Sequence, residues 1–517
     1  MTQRAESTAP TTSSDLDETR YDGTVDAGRN ADAGRNADAG TSNRLPRAHR
    51  NVIALLLIAA FVVILNETVM SVALPVLQRD LGVEPSVGQW LTTAFMLTMA
   101  VVIPTTGFLI NRIRTKALFI AAMSLFSTGT LVAFLAQDFT VLLVARVIQA
   151  SGTAIMMPLL ITTVLTLVPA ARRGQMMGNI SIVISVAPAL GPTVSGFILE
   201  HFGWHWIFGF VLPIALVSLA LGAKWVVSVS ELGNAKLDVI SVPLAALGFG
   251  GLVYGLASFG QSADAPPVVP NWVFFVVGGV ALLAFLLRQL QLQRADRALL
   301  DLRVFTSRIF TVSMATMILA TLSLFGVIIL IPLYAQTVLG LEPLVTGLIT
   351  LPGGLLMGIA APFIGRIYDR VGARVLIIPG TVLVSLSLWM LAFVGLDTPV
   401  WYLIVANILL SVGLAGTFTP VMTSGLGALK PHLYSHGSAV LSTFQQVAAA
   451  AGTALFVTVM SVGAVTAATG GAEAAPAMLE GVRSAFFVGA VLSLVLIAVG
   501  AFVTKPADAP AGAAPVH

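Results

Sequence analysis

The 517-residue chain contains no cysteine, which excludes disulfide frameworks, thiolate metal sites and cysteine nucleophiles together. Charge is scarce as well: 10% of the residues are Asp, Glu, Lys or Arg and 57% are hydrophobic, whereas roughly a quarter of a soluble domain is charged. So little polar surface cannot cover a water-facing globule of this length. The mean hydropathy of +0.93 and the recurrent long apolar stretches define an all-α polytopic membrane protein. The formal net charge of +3 makes no case for nucleic acid, and no nucleic-acid partner is expected. The placement of the basic residues is what carries information. There is no G-x-x-x-x-G-K-S/T, H-E-x-x-H or G-x-S-x-G, so neither ATP hydrolysis nor zinc or serine hydrolase chemistry is expected. His201 and His205 flank a turn broken by Gly203, which argues against a metal site. No catalytic residue, metal or cofactor is expected.

Residues 1–48 are rich in Ala, Asp, Asn, Thr and Gly and include the near-repeat DAGRNADAGRNADAG at 26–40. Nothing in this stretch can bury apolar area, so it reads as a disordered tail. The same holds for 506–517. The first apolar segment starts about fifty residues in, behind this polar stretch, so no cleaved secretory signal is expected. Between the tails lie fourteen apolar segments, from 51–75 to 483–503, each near the ~20 residues that span a bilayer.

The basic residues test that count. With fourteen spans both termini share one side, and twenty Lys and Arg of the loops and flanks fall on it, among them Arg112, Arg114, Arg173, Arg366, Arg370, Arg374 and Lys430. Only Arg79 and Arg483 fall on the other. One missed helix would invert every later loop and destroy this asymmetry. The positive-inside rule therefore places both termini in the cytoplasm and the chain in the plasma membrane, multi-pass.

The chain also repeats itself. Pro104-x-x-Gly107 with its basic loop (Asn111, Arg112, Lys116) recurs 258 residues later as Pro362-x-x-Gly365 with Asp369, Arg370 and Arg374. Each loop joins the second and third helices of a six-helix half if segments seven and eight are an inserted pair. The expected organisation is a first bundle over 49–232, an inserted pair over 233–298 and a second bundle over 299–505. Parallel six-helix repeats that rock about a central cavity are a transporter architecture.

These residues carry a resemblance. GRIYDRVGAR (365–374) resembles the loop signature of the major facilitator superfamily. Arg146-Val-Ile-Gln149-x-x-Gly152 resembles the fourth-helix signature of its exporters. Ala187-Pro188-Ala189-Leu190-Gly191-Pro192-x-x-x-Gly196 resembles their fifth-helix antiporter motif. Asn66-Glu67-Thr68 followed by Val72-Ala73-Leu74-Pro75 resembles the first helix of the fourteen-helix drug:proton antiporters, particularly lincomycin-resistance and quaternary-ammonium-type exporters. The resemblance covers about residues 50–505. It implies the major facilitator fold and efflux of amphipathic toxic compounds, driven by protons, through alternating access of a monomer. The partners it implies are the bilayer, a small drug-like molecule and protons. A dedicated exporter of one metabolite or envelope lipid is the alternative; a sensor, scaffold or proton-coupled importer fits less well. The first-half loop departs from the signature, with Asn111 where an aspartate and Arg114 where a glycine are expected. An acid-centred latch is therefore expected only in the second half.

Within the spans, Glu67 is the one acid and Arg146 the one base that lie deep. Each costs roughly 2.5–3.5 kcal/mol to insert at a helix centre, so each should face protein or a water cavity. Glu67 is expected to trade its proton for substrate, tuned by Arg146, whose helical face also carries Gln149 and Thr153. Asn66, Gln149, Gln336, Gln445 and Gln446 are candidate cavity contacts, although hydrogen bonding between helices explains them equally well. Pro188, Gly191, Pro192 and Gly196 fall on one small, kinked face suited to close helix packing. Gly107, Arg112, Gly365, Asp369, Arg370, Gly372 and Arg374 form the expected cytoplasmic gate, with Asp369 as its latch. His432 and His436 read as solvated loop residues.

Overall fold

The computed structural model describes residues 46–228, 238–259, 269–295 and 297–504. The tail expected over 1–48 lies outside these residues as far as position 45, as do 506–517 and the basic residues Arg44, Lys236 and Lys505.

Fourteen helices are long and apolar enough to cross a membrane among the described residues. They are α1 (Arg47–Asp80), α2 (Trp90–Arg112), α3 (Thr115–Leu135), α4 (Phe139–Leu167), α5 (Arg173–Phe202), α6 (His205–Trp225), α7 (Ser241–Phe259) and α8 (Asn271–Leu292). They continue with α9 (Arg308–Thr337), α10 (Pro343–Val371), α11 (Arg374–Ala392), α12 (Val400–Gly427), α13 (Tyr434–Thr469) and α14 (Ala474–Gly500). Several outrun their apolar cores. Helix α13 spans 36 residues where the hydropathy pattern marks 438–462, because backbone hydrogen bonding continues past the point where side chains become polar. Local chemistry sets the ends. The Asp138 side chain accepts from Val141 N at 2.9 Å and caps α4, and Ser307 does the same for α9 through Phe310 N. Gly372 ends α10 at φ 84°, a conformation that L side chains rarely adopt.

The packing repeats with an offset of eight helices. In the first half α1 packs on α4, α5 and α6, α2 on α4, and α3 on α4 and α6. In the second, α9 packs on α12, α13 and α14, α10 on α12, and α11 on α12 and α14. Two six-helix halves plus an inserted pair account for this pattern. The halves meet along two equivalent seams, α5 against α10 and α2 against α13.

The inserted pair breaks the symmetry. Helix α7 packs on both α2 and α13 and so covers one seam, while Val276, Val280, Leu283 and Leu287 of α8 stay exposed on the outer surface. At one end the pair is tied by ions: Arg288 Nε and Nη2 each donate at 2.6 Å to the Asp238 carboxylate. Buried Gln289 donates to Ser241 Oγ at 2.7 Å and accepts from Leu299 N at 2.8 Å, which fixes the chain leaving α8. This end also carries Arg112, Arg114, Arg172, Arg366, Arg370 and Arg374, and is called the basic end below.

Candidate functional site

Two regions of the bundle hold the chemistry. The first is a buried polar centre between α1, α2, α3 and α4. Arg146 stands seven residues inside α4, about 10 Å from the helix start at 1.5 Å per residue, and is 1% exposed. Each face of its guanidinium is engaged. Nη1 donates to Gln149 Oε1 at 2.6 Å and to Asn66 Oδ1 at 3.4 Å. Nε donates to the Leu91 carbonyl at 3.4 Å, and Cζ lies 4.0 Å from the centre of the Phe95 ring. Gln149 is held in turn by Thr130, to whose hydroxyl its Nε2 donates at 2.9 Å. Thr153 bonds the Gln149 carbonyl one turn back at 3.0 Å.

Glu67 sits beside this centre on α1, thirteen residues before the helix ends at Asp80. Among the described residues it is the one acid more than two turns from both ends of its helix. It is only half-buried and forms neither a hydrogen bond nor an ion pair with the described residues. The Arg146 charge nevertheless acts on it through space. The structure thus brings Glu67, Asn66, Arg146 and Gln149 together, with the guanidinium satisfied by neutral partners and the carboxyl left free.

The cavity candidates separate. Asn66 and Gln149 are 1% and 0% exposed and their side-chain oxygens accept from Arg146, while Asn66 Nδ2 is buried without a partner among the described residues. Gln336 is exposed at the penultimate position of α9. Gln446 is half-buried and donates to Met99 Sδ of α2 at 3.4 Å, across the covered seam. Gln445 is half-buried beside it.

The second region is the pair of seams at the basic end. On one, Asp369 at the end of α10 accepts from the first backbone N–H groups of α5: Gly174 N to Oδ1 at 2.8 Å and Gln175 N to Oδ2 at 2.9 Å. A carboxylate on the unpaired N–H groups of a helix start is a charge-assisted clasp. It needs bare backbone: a Cβ on Gly174 would meet the Gly365 carbonyl at 2.6 Å, and one on Gly178 would meet the Ala361 carbonyl at 2.5 Å. Further along, Gly358 meets Val186 and Gly354 meets Ala189. Beyond them Gly196 and Gly347 meet nothing within 4 Å. The seam is in backbone contact at the basic end.

The motif glycines of α5 therefore differ. Gly191 packs against Thr68 of α1, where an added Cβ would come within 2.9 Å of the Thr68 Cβ. Gly196 packs against nothing, so the shared spacing does not give the two a shared task. Pro188 is half-buried and Pro192 lies within the same helix. Of the expected gate residues, Gly365, Asp369 and Gly107 are at the seams and Gly372 terminates α10. Arg370 and Arg112 are exposed. Arg374 donates to the Ala501 carbonyl at 2.9 Å; it ties two helices of the second half and does not cross a seam.

The equivalent seam is built differently. Asn111, in the place of Asp369, faces the start of α13, where Ser435 Oγ lies 2.7 Å from its Oδ1 and His436 Nε2 lies 3.1 Å from its Nδ2. His436 is 8% exposed, which overturns the expectation of a solvated loop histidine; His432 is exposed. The available signal was the run Ser435, His436, Ser438 at the head of an apolar helix. By composition such a run is indistinguishable from loop.

Two repeated helical bundles, clasped at one end and holding, among the described residues, one unpaired acid deep in a span, are the build of a secondary transporter. The chain belongs to the Major Facilitator Superfamily, whose family model matches residues 56–453. It is 41% identical over 456 residues to an uncharacterized MFS-type transporter, YcnB, of Bacillus subtilis, covering 88% of this chain and 95% of that one. It is 36% identical over 459 residues to the lincomycin resistance protein LmrB of Listeria monocytogenes, covering 88% and 96%. In fold it is similar to the human organic anion transporter MFSD10, with a TM-score of 0.64 and 17% identity over 88% of this chain and 100% of that one.

Proposed function

We propose that this transporter exports amphipathic toxic compounds in exchange for protons, with its basic end facing the cytoplasm and Glu67 as the exchanging acid. The observation that carries the reading is Glu67 itself, half-buried in a span, unpaired, and within the field of a guanidinium that is already satisfied by neutral groups. A carboxyl so placed binds either a proton or a cationic substrate, and competition between the two couples their fluxes. The drug-resistance name of the Listeria relative supports the substrate class. In this reading, closure of both seams at the basic end corresponds to the outward-facing state.

The test is uptake of a cationic dye or drug into inverted membrane vesicles, with and without a protonophore. Glu67→Gln keeps the shape and hydrogen bonding of the protonated acid but cannot ionise. It should reach the membrane normally and lose proton-driven accumulation, while residual downhill exchange of neutral compounds persists. Protonophore-sensitive accumulation at the wild-type rate in the variant would remove Glu67 from the coupling role.

A further inference from the structure

Three parts of the molecule meet at His436. Asn111 brings the end of α2 from the first half, and Ser435 and His436 begin α13 of the second. The segment leaving the inserted pair supplies Asp301, whose backbone N–H donates to His436 Nδ1 at 3.3 Å. Approach is close enough that a Cβ on Gly107 would lie 3.0 Å from Nδ1 and 3.2 Å from the His436 Cα. Asp301 is itself fixed by Arg303, whose Nη2 donates to Oδ2 at 2.6 Å and whose backbone N donates to Oδ1 at 2.9 Å. Burial pushes the Asp301 carboxyl up, but these bonds outweigh it and hold the group below its ordinary value.

The Asp301 N–H at Nδ1 favours one protonation state. Nδ1 accepts from an N–H, so it carries no proton, and the ring is neutral with its proton on Nε2. The Asn111 amide, whose oxygen and nitrogen are interchangeable by a flip, then presents its oxygen to Nε2 and its NH2 to Ser435 Oγ, the reverse of the Nδ2–Nε2 and Oδ1–Oγ contacts. Protonating the ring would set N–H against N–H at Asp301. It would also place a buried cation in the first turn of α13, where the helix dipole opposes positive charge. The charges facing the ring are Asp301 and Arg303 from the exit segment and His432 from the turn before α13. Arg173 lies over the Tyr434 ring, its Cζ 5.3 Å from the ring centre, and Arg112 is exposed one residue past Asn111. Among these charges Asp301 alone favours a charged ring, and its charge is already engaged by Arg303. The Leu299 backbone beside the ring also favours the charged form.

We propose that His436 is the positioning residue that fastens the covered seam: neutral, it clasps the first half to both the second half and the inserted pair, and protonated, it lets the basic end open. The missing first-half acid is thereby replaced by a titratable latch, unlike the fixed carboxylate clasp of the other seam. The inference rests on the seams acting as a gate but not on Glu67 or on substrate.

The absence of native cysteine makes the test clean. Spin labels on Arg114→Cys and Lys430→Cys, two exposed positions flanking this seam, report its width by pulsed dipolar spectroscopy in nanodiscs. The background is Glu67→Gln, so that the proposed coupling acid contributes nothing. Between about pH 8 and pH 4, a range that starts above the ordinary histidine value near 6.5 and runs well below it because the surroundings oppose a charged ring, the distance distribution should pass from a short to a longer component toward the acid end. His436→Gln, which can accept and donate at the same points but cannot be protonated, should stay short throughout. A wild-type-like pH response in His436→Gln would overturn the proposal, as would a seam width independent of pH when His436 is present. Should the glutamine variant fail to reach the membrane, His436→Asn replaces it, and the pH series with His436 intact remains decisive.

Discussion

Arg146 spends its donors on two side-chain amides and a carbonyl, none of them charged, and that choice has a consequence for Glu67. Had a carboxylate paired with the guanidinium, the positive charge would be neutralised locally; held by Gln149, Asn66 and Leu91 instead, its field reaches Glu67. Gln149 is thus a positioning residue for Arg146. Gln149→Leu removes the 2.6 Å acceptor and the bond to Thr130. Hydrogen bonds between membrane helices are worth about 0.6 kcal/mol on average, so the variant should fold and lose little thermal stability in detergent. Vesicle efflux should nevertheless fall roughly tenfold, equivalent to ~1.4 kcal/mol, because the charge is no longer aimed. Thr153→Val, which removes only a bond within α4, should leave efflux near wild type. Equal losses from both changes would place the effect in the helix and not in the guanidinium.

At the scale of elements, α5 is the helix around which the halves are organised. Its first turns are clasped by Asp369 and lie backbone to backbone on α10. Its later turns lean on α1 through Gly191 against Thr68 and through Ser195 Oγ, which donates to the Val69 carbonyl at 3.0 Å. Glycine is required at a contact only where the neighbour cannot give way. Gly191→Ala pushes a methyl into Thr68, next to Glu67, and overpacking of this kind costs about 1–3 kcal/mol. Gly196→Ala meets open space and removes a flexible residue from a helix interior, so it should be neutral or stabilising by about 0.5–1 kcal/mol. Melting temperatures of the two variants in the same detergent, compared with transport, decide the point. A larger penalty at Gly196 would mean that the far end of α5 closes on a partner in the dominant state.

For the whole molecule, the inserted pair removes the equivalence of the two seams. It covers one of them and is fixed to the basic end by Asp238 and Arg288. Asp238 is held at a pKa of about 2, chiefly by the hydrogen bonds from Arg288, with burial opposing and Ser241 assisting. A folded-state value below the free one means that the pair stabilises the fold above about pH 4 and that this contribution is lost as pH falls toward 2. Asp238→Asn should therefore lower the melting temperature at neutral pH by something on the order of 2 °C. It should also flatten the acid limb between about pH 5 and pH 2 in the same melts. An acid limb as steep as that of the wild type would show that other carboxylates set the acid limit.

Much of this architecture is legible without coordinates, because a bilayer imposes one-dimensional rules. Spans must be apolar for about twenty residues, loops divide by basic charge, and a buried charge must have a reason. The fourteen helices and the two deep charges, Glu67 and Arg146, follow from those rules alone, and the two halves follow from the repeated Pro-x-x-Gly loop motif. Only the packing decided which side of each helix meets which neighbour. It turned Asn66 and Gln149 inward to a guanidinium, left Gln336 exposed near the end of its helix, and separated Gly191 from Gly196. It also buried His436 under Asn111 and Asp301, three positions far apart in the chain. Contacts of that kind depend on helix rotation and on where an inserted pair docks, which hydropathy along a chain does not encode.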